Sequence, residues 1–324
     1  MAKTIFLTGA TGLVGSYLAR EFVRRGYHLR LLTRPTSDRS VLADLPDSSL
    51  TWVEGDLSDI WLLREAMQNV DFVVHAAAKV SFWKREADEL HCINVEGTEN
   101  MVNAALELGT VKKFVQIGSI ATIGRPPKGK VELDETAKWS SEDAVHDYAE
   151  TKHLAELEVW RGVAEGLQAI SVNPSLVLGK GDWSRSSLQI FDYIDRKNQY
   201  HPQGTVNYVD VRDVAEMTAD LLESKINNER FILSAGAMPY GDLFGRIAEQ
   251  MNKESRSKEL PKWLGGIVWR WEAFRSFLTQ TPPKVTKQTL KSARQPHVYQ
   301  NNKVKNALAR DFRSLDETLN WALG

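Results

Sequence analysis

The stretch HDYAETKHLAE, residues His146 to Glu156, carries Tyr148 four places before Lys152. On a helix that spacing puts a phenol and an ammonium on one face, as a proton-transfer pair requires. A phenol titrates at about 10 when unperturbed, too high for ready exchange near neutrality. An ammonium one turn away stabilises the phenolate and brings the phenol towards working pH. The same spacing recurs in Tyr193 with Lys197 and in Tyr299 with Lys303, so spacing alone does not choose among the three pairs.

A second group of residues opens the chain. TIFLTGATGLVGSYLAR reads as an apolar strand, then Gly9, Gly12 and Gly15, then a helix. Gly9 permits a tight turn, Gly12 a close approach of backbone to ligand, and Gly15 close packing of helix on strand. A phosphate there meets unpaired N–H groups and the positive end of the helix dipole. Thr11, Leu13 and Val14 belong to the same turn and are expected at a bound dinucleotide with the glycines. The end of the second strand selects the dinucleotide: an acid binds a ribose 2′-hydroxyl, a base a 2′-phosphate. Here LRLLTRPTSDRS places Arg34 after Thr33, and a guanidinium fork suits a phosphate. This predicts NADP(H). NAD is the second choice, for which Asp38 is the residue to watch.

These groups need a scaffold. Runs apolar throughout (Thr4–Thr8, Leu29–Thr33, Thr51–Val53, Phe72–His75, Phe114–Ile117, Ile170–Asn173) alternate with helical patterns near Val14–Arg25, Asp59–Gln68, Asp88–Leu108 and Tyr148–Glu165. Strands without polar alternation are covered on both faces, and repeated strand–helix–strand units pair in parallel. The predicted fold is α/β, a doubly wound parallel (Rossmann) sheet with a smaller, mostly helical C-terminal substrate region. Residues 1–178, with 206–235 returning, are expected to form the dinucleotide domain. Residues 179–205 and 236–324 are expected to bind substrate.

Ligands of such sheets sit at the carboxyl edge of the strands. Strand five ends there in FVQIGSIATIG, presenting Ser119 and Thr122 just before the Tyr148 helix. Neither Tyr193 nor Tyr299 follows a serine-bearing strand end, so both are expected at the surface or in packing. Asp213 is expected to cap the helix it begins, and His75 and Cys92 to be buried. The tryptophan-rich Lys262–Leu278 is expected to pack over the substrate mouth or against the sheet.

Composition narrows the classes. The 324 residues are 42% apolar and 26% charged, enough for a sizeable core. A net charge of −1 supplies no basic field for nucleic acid. One cysteine excludes an internal disulfide and a cysteine metal cluster, and the seven histidines show no HExxH-like pairing. No run approaches the ~18 apolar residues of a membrane span, and the apolar run that opens the sequence is too short to be expected as a signal peptide. The expected partner is a small molecule in a cytoplasmic setting, with no metal, nucleic acid or membrane.

Further motifs carry a resemblance. GDLSD (Gly55–Asp59), VVHAAA (Val73–Ala78), NVEGTENMVNAA (Asn94–Ala105) and YVDVRDVA (Tyr208–Ala215) accompany TGATGLVG. With them the chain resembles the extended short-chain dehydrogenase/reductase family over nearly its whole length. The resemblance implies Asp56 and Leu57 beside the adenine, and Ala76, Ala77, Ala78 and Pro174 around the cofactor. It implies Tyr148 as acid/base, Lys152 binding the ribose and tuning Tyr148, and Ser119 orienting a carbonyl, with Thr122 as fallback. Asn94 is either the N-cap of a long helix or a support near the active site and cofactor. The family also implies a homodimer through the two long helices.

Two departures stand out. Gly118 precedes Ser119 where the family often has serine, and Asn173 precedes Pro174 where sugar-nucleotide members usually carry arginine. Asn173, Arg34 and the tryptophans favour a reductase similar to the dihydroflavonol 4-reductase and 3β-hydroxysteroid dehydrogenase branch, acting on a bulky substrate. A nucleotide-sugar epimerase or dehydratase retaining NAD is the alternative. A non-catalytic NADP-binding sensor is a third reading, weakened by the presence of Ser119, Tyr148 and Lys152.

Overall fold

Every residue of Lys113–Ile117 and of Ala169–Pro174 is buried, which is why these segments read as strands covered on both faces. The structure is a computed structural model that describes residues 2–126, 129–140, 143–144, 146–196, 200–254, 257–283 and 285–324. The chain opens with β1 (Thr4–Thr8), α1 (Leu13–Arg24), β2 (His28–Thr33), β3 (Leu50–Glu54), α2 (Ile60–Met67) and β4 (Phe72–His75). Then come α3 (Ala87–His91), α4 (Gly97–Leu108), β5 (Lys113–Ile117), β6 (Glu132–Leu133), α5 (Asp147–Ala164), β7 (Ala169–Pro174) and β8 (Leu176–Leu178). The chain continues with α6 (Gln189–Asp195), β9 (Tyr200–His201), β10 (Thr205–Asp210), α7 (Val211–Glu223), β11 (Glu229–Leu233), β12 (Gly236–Pro239), α8 (Tyr240–Gln250) and α9 (Lys262–Thr279).

Seven parallel strands form the central sheet in the order β11-β7-β5-β4-β1-β2-β3. Leu18 and Phe22 of α1 pack with Val214 and Met217 of α7 on one face. Leu63, Met101, Val102 and Val159 from α2, α4 and α5 cover the other. Strand order reverses on either side of β1, and the crevice at that switch point is where open α/β sheets hold ligands. β11 extends this sheet, whereas β10 joins β8 and β12 in a separate three-stranded sheet. Phe191, Leu243, Phe244 and Leu319 form the core beneath it.

Several local expectations change. The helical run over residues 88–108 is not one α-helix, because Cys92–Glu96 forms a π-helical turn between α3 and α4. Asn94 therefore lies inside a continuous rod rather than at an N-cap, and Cys92 is exposed rather than buried. Asp210, not Asp213, caps α7 by accepting the Arg212 N–H at 2.8 Å. Asp213 is buried in the first turn, where it accepts the Arg313 N–H at 2.8 Å and pairs with the Arg313 guanidinium. Within residues 182–196 the helical structure is a 3₁₀ turn at Ser186–Leu188 followed by α6.

α9 departs furthest. Trp263, Ile267, Trp271, Phe274 and Leu278 recur at helical spacing and all face outward. The inward side holds Gly265, where a Cβ would lie 2.8 Å from Arg294 Nη2. The glycine allows this close approach, and α9 packs against α10 (Lys287–Ser292). Among the described residues no helix is long and apolar enough to cross a membrane.

Candidate active site

A cavity of about 1690 Å³ runs along the carboxyl edge of the sheet, from the glycine turn to the walls added by β8, α6 and α8. Gly9, Thr11, Gly12, Leu13, Val14, Gly15, Ala76, Ala78 and Pro174 line it, together with Ser119, Tyr148 and Lys152. Arg34, Asp56, Leu57, Ala77 and Asn94 do not lie on its wall. Leu57 is buried against Gly97, and its carbonyl accepts Asn100 Nδ2 at 3.0 Å. Asp56 is exposed and caps Ser58. Ala77 donates its N–H to Thr8 Oγ1 at 3.1 Å.

The turn has the shape a dinucleotide needs. Gly9 has φ +70°, and a Cβ there would lie 2.6 Å from the Ala76–Ala77 peptide. A Cβ on Gly15 would collide with the Gly9 carbonyl, whereas at Gly12 it would meet only that oxygen, at 3.3 Å. Space in front of Gly12 is thus open to a ligand, and no acidic residue in the first turn of α1 opposes a phosphate. At the end of β2 the Thr33 hydroxyl is buried without a partner. The exposed Arg34 guanidinium meets no carboxylate among the described residues, whereas Arg39 pairs with Glu54 and Arg20 with Asp44. Asp38 does reach the cavity wall; its Oδ1 accepts the Ser40 N–H and hydroxyl, which hold its carboxyl below the ordinary range.

Ser119, Tyr148 and Lys152, the residues expected to transfer a proton, are held by β5, α5 and β7. His146 caps α5 by accepting the Ala149 N–H on Nδ1 at 2.9 Å. Tyr148 then falls in the first turn and the buried Lys152 in the next. Lys152 Nζ donates to the Ile117 carbonyl at 2.9 Å, tying α5 to the end of β5. Burial pulls this ammonium down to about 8, against the opposing charge of Glu156. Burial pushes the Tyr148 phenol up, and its hydrogen bond with Ser119 pulls it back. The phenol is therefore raised rather than lowered, and its lysine is anchored on a backbone carbonyl. At neutral pH this keeps Tyr148 protonated, the state a proton donor needs.

Ser119 opens a 3₁₀ turn, its Oγ accepting the Ala121 N–H at 3.1 Å. Thr122 is fully buried, donates to the Ser119 carbonyl at 3.0 Å and is absent from the cavity wall, so it is no substitute for the serine. Asn173 is the residue the sequence reading missed. It is fully buried, and its Oδ1 accepts the Ser119 N–H at 3.0 Å. A Cβ on Gly118 would collide with that same oxygen. The two departures from the family pattern are one packing solution: Gly118 leaves room for the amide that holds Ser119. Asn173 before Pro174 was the signal, although it pointed to the substrate class rather than to this contact.

A buried network lies behind the cavity. Asn94 binds the Lys79 backbone through Oδ1 at 2.8 Å and Nδ2 at 3.0 Å, and donates to Thr151 at 3.1 Å. Thr98 gives its proton to the Asn94 carbonyl at 2.6 Å, so His75 Nε2 is the donor to Thr98. His75 Nδ1 then accepts from Thr8 at 2.7 Å. Burial, with the Lys152 charge, depresses this imidazole to about 3. Between about 6.5 and that value the unfolded chain binds a proton the folded one refuses, so stability falls as pH drops through this window. Melting temperatures between pH 7 and 4 should decline less steeply in His75→Gln; an unchanged slope would refute this assignment.

Of the two other tyrosine–lysine spacings, only Tyr299 with Lys303 is described in full. Tyr193 donates to the Tyr200 carbonyl at 2.8 Å, and Lys197 lies outside the described residues. Lys303 donates to the Arg230 carbonyl at 2.9 Å and pairs with Glu229. Tyr299 is a wall of the cavity, which its polar flanks YQNNK did not reveal.

Doubly wound sheet, glycine turn and edge cavity define a nicotinamide-dinucleotide enzyme class. Residues 5–233 match the NAD dependent epimerase/dehydratase family, and the chain belongs to that family, within the extended short-chain dehydrogenase/reductases. A provisionally named dihydroflavonol 4-reductase of Synechocystis sp. is 28% identical, across 98% of this chain and 93% of the relative. Cinnamoyl-CoA reductase 1 of Petunia hybrida is 29% identical across 74% of this chain and 75% of its own. The crystal structure of gox2253 superposes with a TM-score of 0.83 at 33% identity, covering 99% of this chain and 96% of that one.

Proposed function

We propose that the chain is an NADP(H)-dependent oxidoreductase that interconverts a carbonyl and a secondary alcohol on a bulky small molecule. The observation that carries this reading is the convergence of Ser119, Tyr148 and Lys152 on one wall of the cavity that begins at the glycine turn. The bound nicotinamide supplies or accepts the hydride. Tyr148 gives its phenolic proton to the carbonyl oxygen, while the Ser119 hydroxyl holds that oxygen in line. In this reading Lys152 holds the nicotinamide ribose. Gly9, Gly12 and Gly15 seat the pyrophosphate on α1, and Arg34 receives the 2′-phosphate. Phe82, Trp139, Tyr240 and Tyr299 on the wall suit a substrate with apolar or aromatic surface, in keeping with relatives named as reductases.

One observation favours the alternative, an epimerase or dehydratase on retained NAD: Asp38, not Arg34, reaches the cavity wall. Mass analysis of cofactor carried through purification, followed by NADPH and NADH titrations, separates the readings. The expected result is exchangeable NADPH, preferred over NADH, with Arg34→Ala removing about tenfold of that preference. Tightly retained NAD, or a preference that survives Arg34→Ala, would overturn the NADP(H) assignment.

A further inference from the structure

His146 precedes the proposed acid by two residues and divides its work between two nitrogens. Nδ1 accepts the Ala149 N–H at 2.9 Å, so in the neutral ring the proton sits on Nε2. Protonating Nδ1 would break the cap of α5, and burial holds this imidazole down to about 4. The ring is therefore a neutral donor throughout the physiological range. Among the described residues nothing accepts its Nε2–H, and the ring lines the cavity.

Its setting is aromatic. The His146 and Tyr148 rings lie with centroids 6.0 Å apart and planes at 28°. Phe82 stands edge-on to both, 4.9 Å from His146 at 84° and 6.0 Å from Tyr148 at 68°. Phe82 also keeps 38% of its surface exposed. Three rings at these separations form a corner that accepts a fourth by edge or face. Within that corner the proposed proton donor and one fixed N–H donor lie on the same side of α5.

We infer that His146 is a specificity-determining residue whose Nε2–H binds an acceptor oxygen carried on a planar ring beside the reacting carbonyl, with Phe82 packing against that ring. The ligand is thus a carbonyl compound whose planar ring carries an acceptor oxygen, an inference that rests on the carbonyl-reductase reading above. A donor without acceptor capacity selects ethers, ketones and hydroxyl oxygens over ammonium groups. Because the ring stays neutral, it has no full charge with which to capture a diphosphate.

Two isosteric probes test this: ortho-methoxyacetophenone and ortho-ethylacetophenone, which differ by an oxygen in place of a methylene. Calorimetry on the protein saturated with NADP+ should show the methoxy ketone binding roughly fivefold to tenfold more tightly, the worth of one hydrogen bond. His146→Ser keeps a cap acceptor for α5 but loses the donor, so it should bind both ketones alike while its cofactor affinity matches the parent. His146→Ala should lose the same discrimination together with some thermal stability, which separates the cap from the contact. A parent that does not discriminate, or a serine variant that still does, overturns the proposal. NADPH oxidation is followed in parallel with both ketones. Discrimination retained without any turnover would fault the reductase reading and leave the donor role of His146 standing.

Discussion

Tyr148→Phe should reduce carbonyl turnover by roughly 10²–10⁴-fold, the contribution of a positioned general acid, and leave dinucleotide affinity unchanged. The substitution removes one oxygen, and with it the proton given to the substrate. It leaves the ring, so the contacts with Phe82 and His146 remain. The phosphate cradle lies on a different element, α1 with the turn before it. Single-turnover NADPH oxidation measures the first effect and cofactor titration the second. The pH profile adds an independent check. Burial holds the Tyr148 phenol above its ordinary value, so reduction by the parent should stay level through neutrality and decline only in alkali. A phenylalanine variant that turns over at the parental rate would mean that another group gives the proton. His146 is then the first to examine, since it presents an N–H on the same wall.

How much of this was legible in the chain depends on what kind of force decides each feature. The central sheet was legible because β1, β4, β5 and β7 are covered on both faces and carry little polar alternation. The glycine turn was legible because close packing leaves no choice at Gly9 and Gly15. Tertiary contacts decide the remainder. Helical periodicity does not distinguish a π-turn from an α-turn, so the rod through Asn94 read as uniform. Asp210 and Asp213 both suit a cap by type, and the partner that removes Asp213 from that role, Arg313, is a hundred residues away. Ser119 and Thr122 sit on one strand end, and only the 3₁₀ turn between them sends the threonine into the core. The outward stripe of α9 reverses the usual amphipathic rule, so no pattern-based reading could have oriented it.

The pairing of Gly118 with Asn173 makes the sharpest prediction of this kind. Gly118→Ser brings this chain closer to the common family pattern, yet it should be one of the most damaging changes at the site. Its Cβ would collide with Asn173 Oδ1, and Asn173 is fully buried in β7, between β5 and β11. Two relaxations are open. The amide rotates and the Ser119 N–H loses its acceptor, or the end of β5 shifts and takes the Ile117 carbonyl away from Lys152. Either one displaces a member of the Ser119–Tyr148–Lys152 group, and a misplacement of about 1 Å can cost about 10²-fold in rate. Overpacking should also lower stability by about 1–3 kcal/mol. Asn173→Ala alone relieves no clash and leaves the Ser119 N–H without its acceptor, so it should be slower than the parent as well. Combined with Gly118→Ser it removes the obstructing atom, and the double variant should melt higher and turn over faster than Gly118→Ser alone. That sign of coupling is expected only of residues in direct contact. A serine variant as active and stable as the parent, or a double variant no better than the single, would show that Gly118 and Asn173 depart from the family pattern independently.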